Sequence, residues 1–212
     1  MQNFIFDFDG TLANSGKTGV LATQAAFKEE GYAAPSEEDI NYYMGIPIEV
    51  SFKKMLPSAV SESDFDRLLE TFRKHYRSLE AENLVLFPRI METLEELVSE
   101  EKKLYVVSSK HSTALLRNLE TLGINQLFTK VIGSDHVEHF KPAPDGVLAV
   151  IESGHLNKDD SIMIGDAIFD LQMGKSAGVH TGAVAWGAHD VKALKSEQPD
   201  YVFEDAKDWL NI

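Results

Sequence analysis

From Pro88 onward the chain alternates helical patterns with short, almost wholly apolar runs, and no other feature limits its fold as much. A strand covered on both faces reads as a continuous hydrophobic run, and a helix between successive strands makes them parallel. Ile90, Met91, Leu94, Leu97 and Val98 form one helix face, and Leu104 to Val107 forms a buried strand ending at Ser108-Ser109. Leu115, Leu116, Leu119 and Leu122 form the next face before Gly123, followed by the strand Val131-Ile132-Gly133. Ile162-Met163-Ile164 stops at Gly165-Asp166, a helix runs to Gly178, and Ala183-Val184-Ala185 and Tyr201-Val202-Phe203 are the last strands. Near the start, Phe4 to Phe8 alternates, which places Phe4, Phe6 and Phe8 on one face of a strand that stops at Gly10-Thr11. The expected class is α/β, built on a doubly wound parallel sheet.

Between the first strand and Pro88 the texture is different, with helical patterns and no convincing strand. Asn14 or Ser15 caps a helix ending near Gly31, and Ser36 caps a short second helix beyond Pro35. Pro47 suits a first helical turn, with Ile48, Phe52 and Met55 along one face. Ser61 opens the clearest helix, whose Phe65, Leu68, Leu69, Phe72 and Tyr76 trace one stripe, read as the core of the unit. Arg67, Arg73, His75 and Arg77 on the same helix read mainly as a solvated face. The expected division is a Rossmann-like core of residues 1–14 and 83–212 and an all-helical insert of residues 15–82. The connections at Ala13 to Gly16 and Asn83 to Pro88 are the expected hinges of that insert.

The 212 residues contain no cysteine, which excludes disulfides, thiolate metal sites and a cysteine nucleophile. A net charge of -14 repels polyanions, so nucleic acid is not an expected partner, and an anionic ligand needs a metal ion or a local donor cluster. No apolar stretch approaches the roughly 20 residues of a membrane span, and no basic segment precedes an apolar one at the start, so a cytoplasmic protein is expected. His111, His136, His139 and His155 lack metal-ligand spacing and are assigned no role, and Glu100-Glu101 and Asp159-Asp160 read as surface.

Ligands of an open parallel sheet sit outside the carboxyl ends of its strands, so polar residues at those ends carry the most information. Asp7 and Asp9 are two apart and share a side; Ser108, Ser109 and Lys110 end the second strand; Asp166 ends another, with Asp170 one helical turn further on. Carboxylates brought to about 4 Å repel by roughly 4 kcal/mol at the effective dielectric of a protein surface. A shared proton offsets that, and so does Mg2+, which prefers oxygen ligands. Lys141, in Phe140-Lys141-Pro142-Ala143-Pro144, supplies a positive charge near the same edge, and Lys110 competes with it as a phosphate-binding lysine.

Phe6-Asp7-Phe8-Asp9-Gly10-Thr11-Leu12 resembles the first motif of the haloacid dehalogenase-like superfamily, Ser108 its second, Lys141 its third and Gly165-Asp166-Ala167-Ile168-Phe169-Asp170 its fourth. The helical insert resembles the cap of the subclass that includes phosphoglycolate phosphatases. The closing stretches Gly182 to Gly187 and Gln198 to Val202 are similar to those enzymes and to related pyrophosphatases.

The resemblance implies a Mg2+-dependent phosphatase acting on a small phosphorylated metabolite, phosphoglycolate first and pyrophosphate second. It implies Asp7 as nucleophile forming an aspartyl phosphate and Asp9 as general acid and base. Thr11, Ser108, Ser109 and Lys141 would then hold the phosphoryl oxygens, with Lys141 favoured over Lys110. Mg2+ would sit on Asp7, the Asp9 backbone carbonyl and Asp166, with Asp170 as an outer ligand or partner of Lys141. A phosphoglucomutase-like transferase and a non-catalytic metal-binding relative are the alternatives. Haloalkanoate dehalogenation is disfavoured, because relatives with that activity lack an acid at the position of Asp9. Asn14, where close relatives often have Asp, and Arg89, where many have Gly, bear on the hinges and substrate choice. A monomer or homodimer is expected.

Overall fold

The computed structural model describes residues 1–57 and 60–212. The chain begins with β1 (Asn3–Phe6) and a two-residue strand β2 (Ala13–Asn14). Four helices follow, α1 (Gly16–Glu29), α2 (Glu37–Tyr42), α3 (Ile48–Met55) and α4 (Glu62–Asn83), then a second short strand, β3 (Val85–Leu86). The remainder alternates: α5 (Ile90–Ser99), β4 (Lys103–Val107), α6 (Ser112–Thr121), β5 (Lys130–Ile132), α7 (Asp145–Gly154), β6 (Ser161–Gly165), α8 (Ile168–Ala177), β7 (His180–Val184), α9 (Val191–Ser196) and β8 (Tyr201–Phe203). A final 3-10 helix covers Ala206–Asn211.

Six strands form one parallel sheet in the order β5-β4-β1-β6-β7-β8. The chain builds outward from β1 to β5, then returns to lay β6 on the other side of β1, so the topological switch lies between β1 and β6. β1 is the register strand, with Phe6 facing Val106 on one side and Ile164 on the other. Alternation sorts its side chains as expected: Phe4 and Phe6 join Leu94, Leu97, Leu115 and Leu119 of α5 and α6, while Ile5 joins Val147, Val150 and Met173 of α7 and α8. Helices thus cover both faces, which is why these strands read as unbroken apolar runs.

Phe8 lies on the expected face and is fully buried, although strand pairing stops at Phe6. The Phe8 carbonyl accepts from the N–H groups of Leu12 and Ala13 at 3.0 and 2.9 Å, which coils the chain just after Asp7. Gly10 occupies that coil at φ +84°, and a Cβ there would fall 2.2 Å from Asp166 Oδ2. Both the backbone angle and the approach of β6 therefore require glycine.

Helices α1, α3 and α4 surround their own apolar cluster, in which Phe27, Phe52, Leu68, Leu69, Phe72 and Tyr76 are buried. Ser36 and Ser61 accept from the backbone N–H groups of Asp39 and Asp64 at 3.0 and 3.2 Å and so start α2 and α4. The helices enter and leave through an antiparallel ribbon in which Ala13 pairs with Leu86 and Asn14 with Val85. Two-residue strands are too short to show a hydrophobic period, so no strand was legible in the sequence there.

Trp209 is fully buried, 4.8 Å between ring centroids from Phe6 and 6.0 Å from Trp186. Its indole Nε1 has no hydrogen-bonding partner within the protein. Trp209→Ala is expected to cost about 3–5 kcal/mol in urea unfolding. Trp209→Phe, which also removes the unpaired donor, is expected to cost less than about 1.5 kcal/mol.

Candidate active site

Asp7 follows β1 and Asp166 follows β6, so the switch between these strands brings the two carboxylates to one crevice. Asp170 reaches it from the first turn of α8, where its Oδ2 accepts from the Ala167 N–H at 3.1 Å. One carboxylate oxygen from each of Asp7, Asp166 and Asp170 lies within 4.8 Å of the others, and all three residues are buried. Lys141 arrives from the loop before α7, its Nζ donating to Asp7 Oδ1 at 2.6 Å and to Asp170 Oδ1 at 2.7 Å. Lys141 is itself 6% exposed, so one buried ammonium faces three buried carboxylates.

This imbalance shows in the acidities. Burial pushes Asp7 well above the usual carboxylate range against the pull of Lys141, with Asp170 and Asp166 adding to the rise. Burial, reinforced by the charge of Asp170, raises Asp166 to about 7 despite hydrogen bonds from the Ala188 N–H and the Thr11 hydroxyl. For Lys141, burial acts downward, but Asp170 and Asp7 outweigh it and hold the ammonium charged. Hard oxygen donors carrying uncompensated negative charge are the donor set that suits Mg2+, so the residues present fit such an ion.

Asp7 and Asp9 line a common cleft of about 410 Å3, together with Ser108, Ser109 and Lys110. Asp9 Oδ1 accepts from Ser15 Oγ at 2.6 Å and from Lys110 Nζ at 2.8 Å. Lys110 also donates to Tyr76 Oη of α4 at 3.0 Å and to Asn118 Oδ1 at 2.9 Å, and its Nζ stands 4.9 Å over the Phe8 ring. The two lysines that compete in the sequence are thereby separated: Lys141 lies with Asp7, and Lys110 lies with Asp9. Ser15, a capping candidate, precedes α1 but spends its hydroxyl on Asp9.

Ser108 is buried, and its Oγ accepts from the Lys110 N–H at 3.2 Å. Ser109 Oγ donates to the Gly45 carbonyl at 2.6 Å, tying the strand end to the α2–α3 loop. Thr11 is fully buried and touches the site through Asp166, to which its Oγ1 donates at 3.2 Å. Tyr76 and the Ala188 N–H, 2.6 Å from Asp166 Oδ2, belong to the site and were not singled out from the sequence for it. Tyr76 reads as one member of an apolar stripe, and a backbone donor carries no residue signal at all. Arg73 and Arg77 line the cleft, whereas Arg67 pairs with Glu30 just after α1 and His75 with Glu29 at its end. His111 starts α6, its Nδ1 accepting from the Thr113 N–H at 3.3 Å.

Removing the buried ammonium leaves two carboxylates facing each other. Lys141→Met is expected to cost about 3–5 kcal/mol in chelator-treated protein. Less should be lost at about pH 5 than at about pH 8, because Asp7 then takes up a proton; urea unfolding at both values checks this. A raised carboxylate binds its proton more tightly when folded, so Asp166 lowers metal-free stability as pH rises from about 4 to about 7. A divalent cation must displace that proton at acid pH. Mg2+ is therefore expected to raise Tm more at about pH 8 than at about pH 6, as read by thermal melts with and without chelator.

The family model described as haloacid dehalogenase-like hydrolase matches residues 4–184. The chain is 35% identical to pyrophosphatase PpaX of Oceanobacillus iheyensis, over 100% of this chain and 96% of that protein. It is 31% identical to a phosphoglycolate phosphatase of Aquifex aeolicus, again over 100% and 96%. Among solved structures, a predicted phosphoglycolate phosphatase from Haemophilus somnus superposes with a TM-score of 0.90 at 24% identity, covering 100% of this chain and 97% of that one, a likeness of fold. Among the described residues no helix is long and apolar enough to cross a membrane. With more than four fifths of its length under one family model, the chain belongs to the haloacid dehalogenase-like hydrolase family, as one of its phosphatases.

Proposed function

We propose that this protein is a Mg2+-dependent phosphatase that cleaves small phosphorylated metabolites through an aspartyl phosphate on Asp7. The observation that carries this is the division of labour between two carboxylates on one cleft. Asp7 is buried and pinned through one oxygen by Lys141, which leaves the other oxygen for attack. Asp9 is held separately by Ser15 and Lys110.

In the first step an Asp7 oxygen bonds to phosphorus as the bond from phosphorus to the leaving oxygen breaks, and Asp9 gives that oxygen a proton. In the second, Asp9 takes a proton from water, the water oxygen bonds to phosphorus, and the bond to Asp7 breaks, releasing phosphate. Ser108, Ser109 and Lys141 are the proposed holders of the phosphoryl oxygens, with Thr11 acting through Asp166. Asp7, the Asp9 backbone carbonyl and Asp166 would hold the Mg2+, with Asp170 behind them fixing Lys141. When bound, the ion neutralises charge on the transferring phosphoryl group. Residues 15–82 are the proposed cap over a core of residues 1–14 and 83–212, hinged at the β2–β3 ribbon, and its closure excludes water during the first step.

Pyrophosphate and phosphoglycolate enter the substrate panel because relatives carry those names. Phosphate release should require Mg2+ and stop with chelator. Asp7→Asn is expected to abolish turnover, and Asp9→Asn to reduce kcat by about 10²–10⁴ while Mg2+ binding persists. Metal-independent release, or full turnover by Asp7→Asn, would refute the mechanism.

A further inference from the structure

The chemistry of the cleft wall differs from one end to the other. Its floor carries Asp7, Asp9, Ser108 and Ser109, while the wall supplied by the helical insert is mainly apolar: Ile40, Tyr43, Met44, Ile46, Ile48 and Phe72 line it, with Glu49, Arg73 and Arg77 as its charged members. Tyr43, Met44, Ile46 and Ile48 are only half-buried, and of these Ile48 alone also packs on the insert's own core, so apolar surface of Tyr43, Met44 and Ile46 is left to the cleft. A volume of about 410 Å3 falls in the range of sites that enclose a whole organic ligand, well beyond what one phosphoryl group fills.

The cations around the cleft are already matched. Lys110 faces Asp9 at 2.8 Å, Arg73 faces Glu49 at 2.9 Å, Arg117 faces Glu80 at 3.1 Å, and Lys141 is held by Asp7 and Asp170. Among the described residues lining the cleft, Arg77 is the arginine or lysine without a carboxylate partner, and it is exposed. A second anionic group seated against the insert would lie on apolar side chains, where an unpaired charge is heavily penalised, unless it displaced one of these carboxylates or reached out to Arg77, whose exposed charge is screened by solvent. A net charge of -14 adds to that penalty.

We propose that the preferred substrate is a phosphate monoester whose leaving group is an apolar body of several carbons, seated against the Ile40, Met44, Ile46 and Ile48 wall. This rests on the phosphatase function proposed above and narrows it away from substrates that carry a second anion. The phosphoryl group meets the polar floor, and the carbon body gains transfer energy along the insert in proportion to the area it buries.

The test is steady-state kinetics with Mg2+ on ethyl, butyl and hexyl phosphate, together with isobutyl phosphate and phosphoglycolate. The alkyl alcohols leave with closely similar basicity, so differences among them report the cleft rather than the chemistry. Isobutyl phosphate matches phosphoglycolate atom for atom, with methyl groups in place of the carboxylate oxygens. The expected result is a kcat/KM that rises roughly three- to fourfold per methylene, and a KM for isobutyl phosphate at least about tenfold below that of phosphoglycolate. Ile46→Ser should flatten the alkyl series, acting on KM more than on kcat.

A flat alkyl series in the wild-type protein, or a lower KM for phosphoglycolate, would overturn the proposal while phosphate release keeps the phosphatase function standing. Release from none of these compounds, nor from the wider panel, would overturn both. The wild-type series decides the matter even if the Ile46→Ser protein fails to fold.

Discussion

Everything at the crevice depends on one ammonium group held out of water between two carboxylates. Lys141 bonds Asp7 and Asp170 while almost wholly buried, and Asp166 stands beside them without a cation of its own. Burying charge is costly unless each group is paired, and here the pairing is incomplete by design of the sequence: three acids share one base. Burial, with the charge deficit adding to it, makes Asp7 and Asp166 weaker acids than ordinary carboxyls. A divalent cation removes it more completely than protons can, since it leaves the carboxylates charged and so keeps Asp7 a nucleophile. Structural strain and chemical competence have a single origin in this arrangement.

The backbone is shaped to permit that crowding. β1 and β6 are neighbours, and their carboxyl ends deliver Asp7 and Asp166 to the same point. Gly10 coils the chain past Asp166 with no room for a Cβ, and the Ala188 N–H comes close enough to bond Asp166 directly. Lys141 arrives from the far side, ahead of α7. Three loops that are distant in sequence are therefore fixed relative to one another by strand register, and loop flexibility has little freedom to disturb them.

Much of this was legible in the sequence because its physical basis is local. An apolar run ending in a polar residue marks a strand end, and that signal located Asp7, Ser108 and Asp166 on the parallel sheet that the structure contains. The helices of the insert were legible through Ser36, Ser61 and the Phe65 to Tyr76 stripe, which the caps and the buried cluster reproduce. Long-range pairing was not legible. Lys110 and Lys141 each follow a strand, and only the three-dimensional arrangement assigns one to Asp9 and the other to Asp7. Ser15 looked like a helix cap because its neighbours in sequence form a helix, while its hydroxyl is spent on Asp9. The β2–β3 ribbon escaped notice since two residues carry no period.

Lys110 gives the insert a direct hold on Asp9. Its ammonium bonds Asp9 and Asn118 of the core and Tyr76 Oη of α4, and Asn118 Nδ2 in turn bonds Glu80 of the same helix. Arg117 completes the contact with two bonds to Glu80 at 3.1 Å. Any motion of α4 away from the sheet must break the bonds to Tyr76 and Glu80, which leaves the Lys110 ammonium with Asp9 and Asn118. The apolar cluster around Phe27 and Phe72 joins α1, α3 and α4, so the break is shared by these helices rather than absorbed by one side chain. Asp9 is therefore held from both sides, by Lys110 of the core and by Ser15 at the start of α1, while Tyr76 steadies the ammonium from α4.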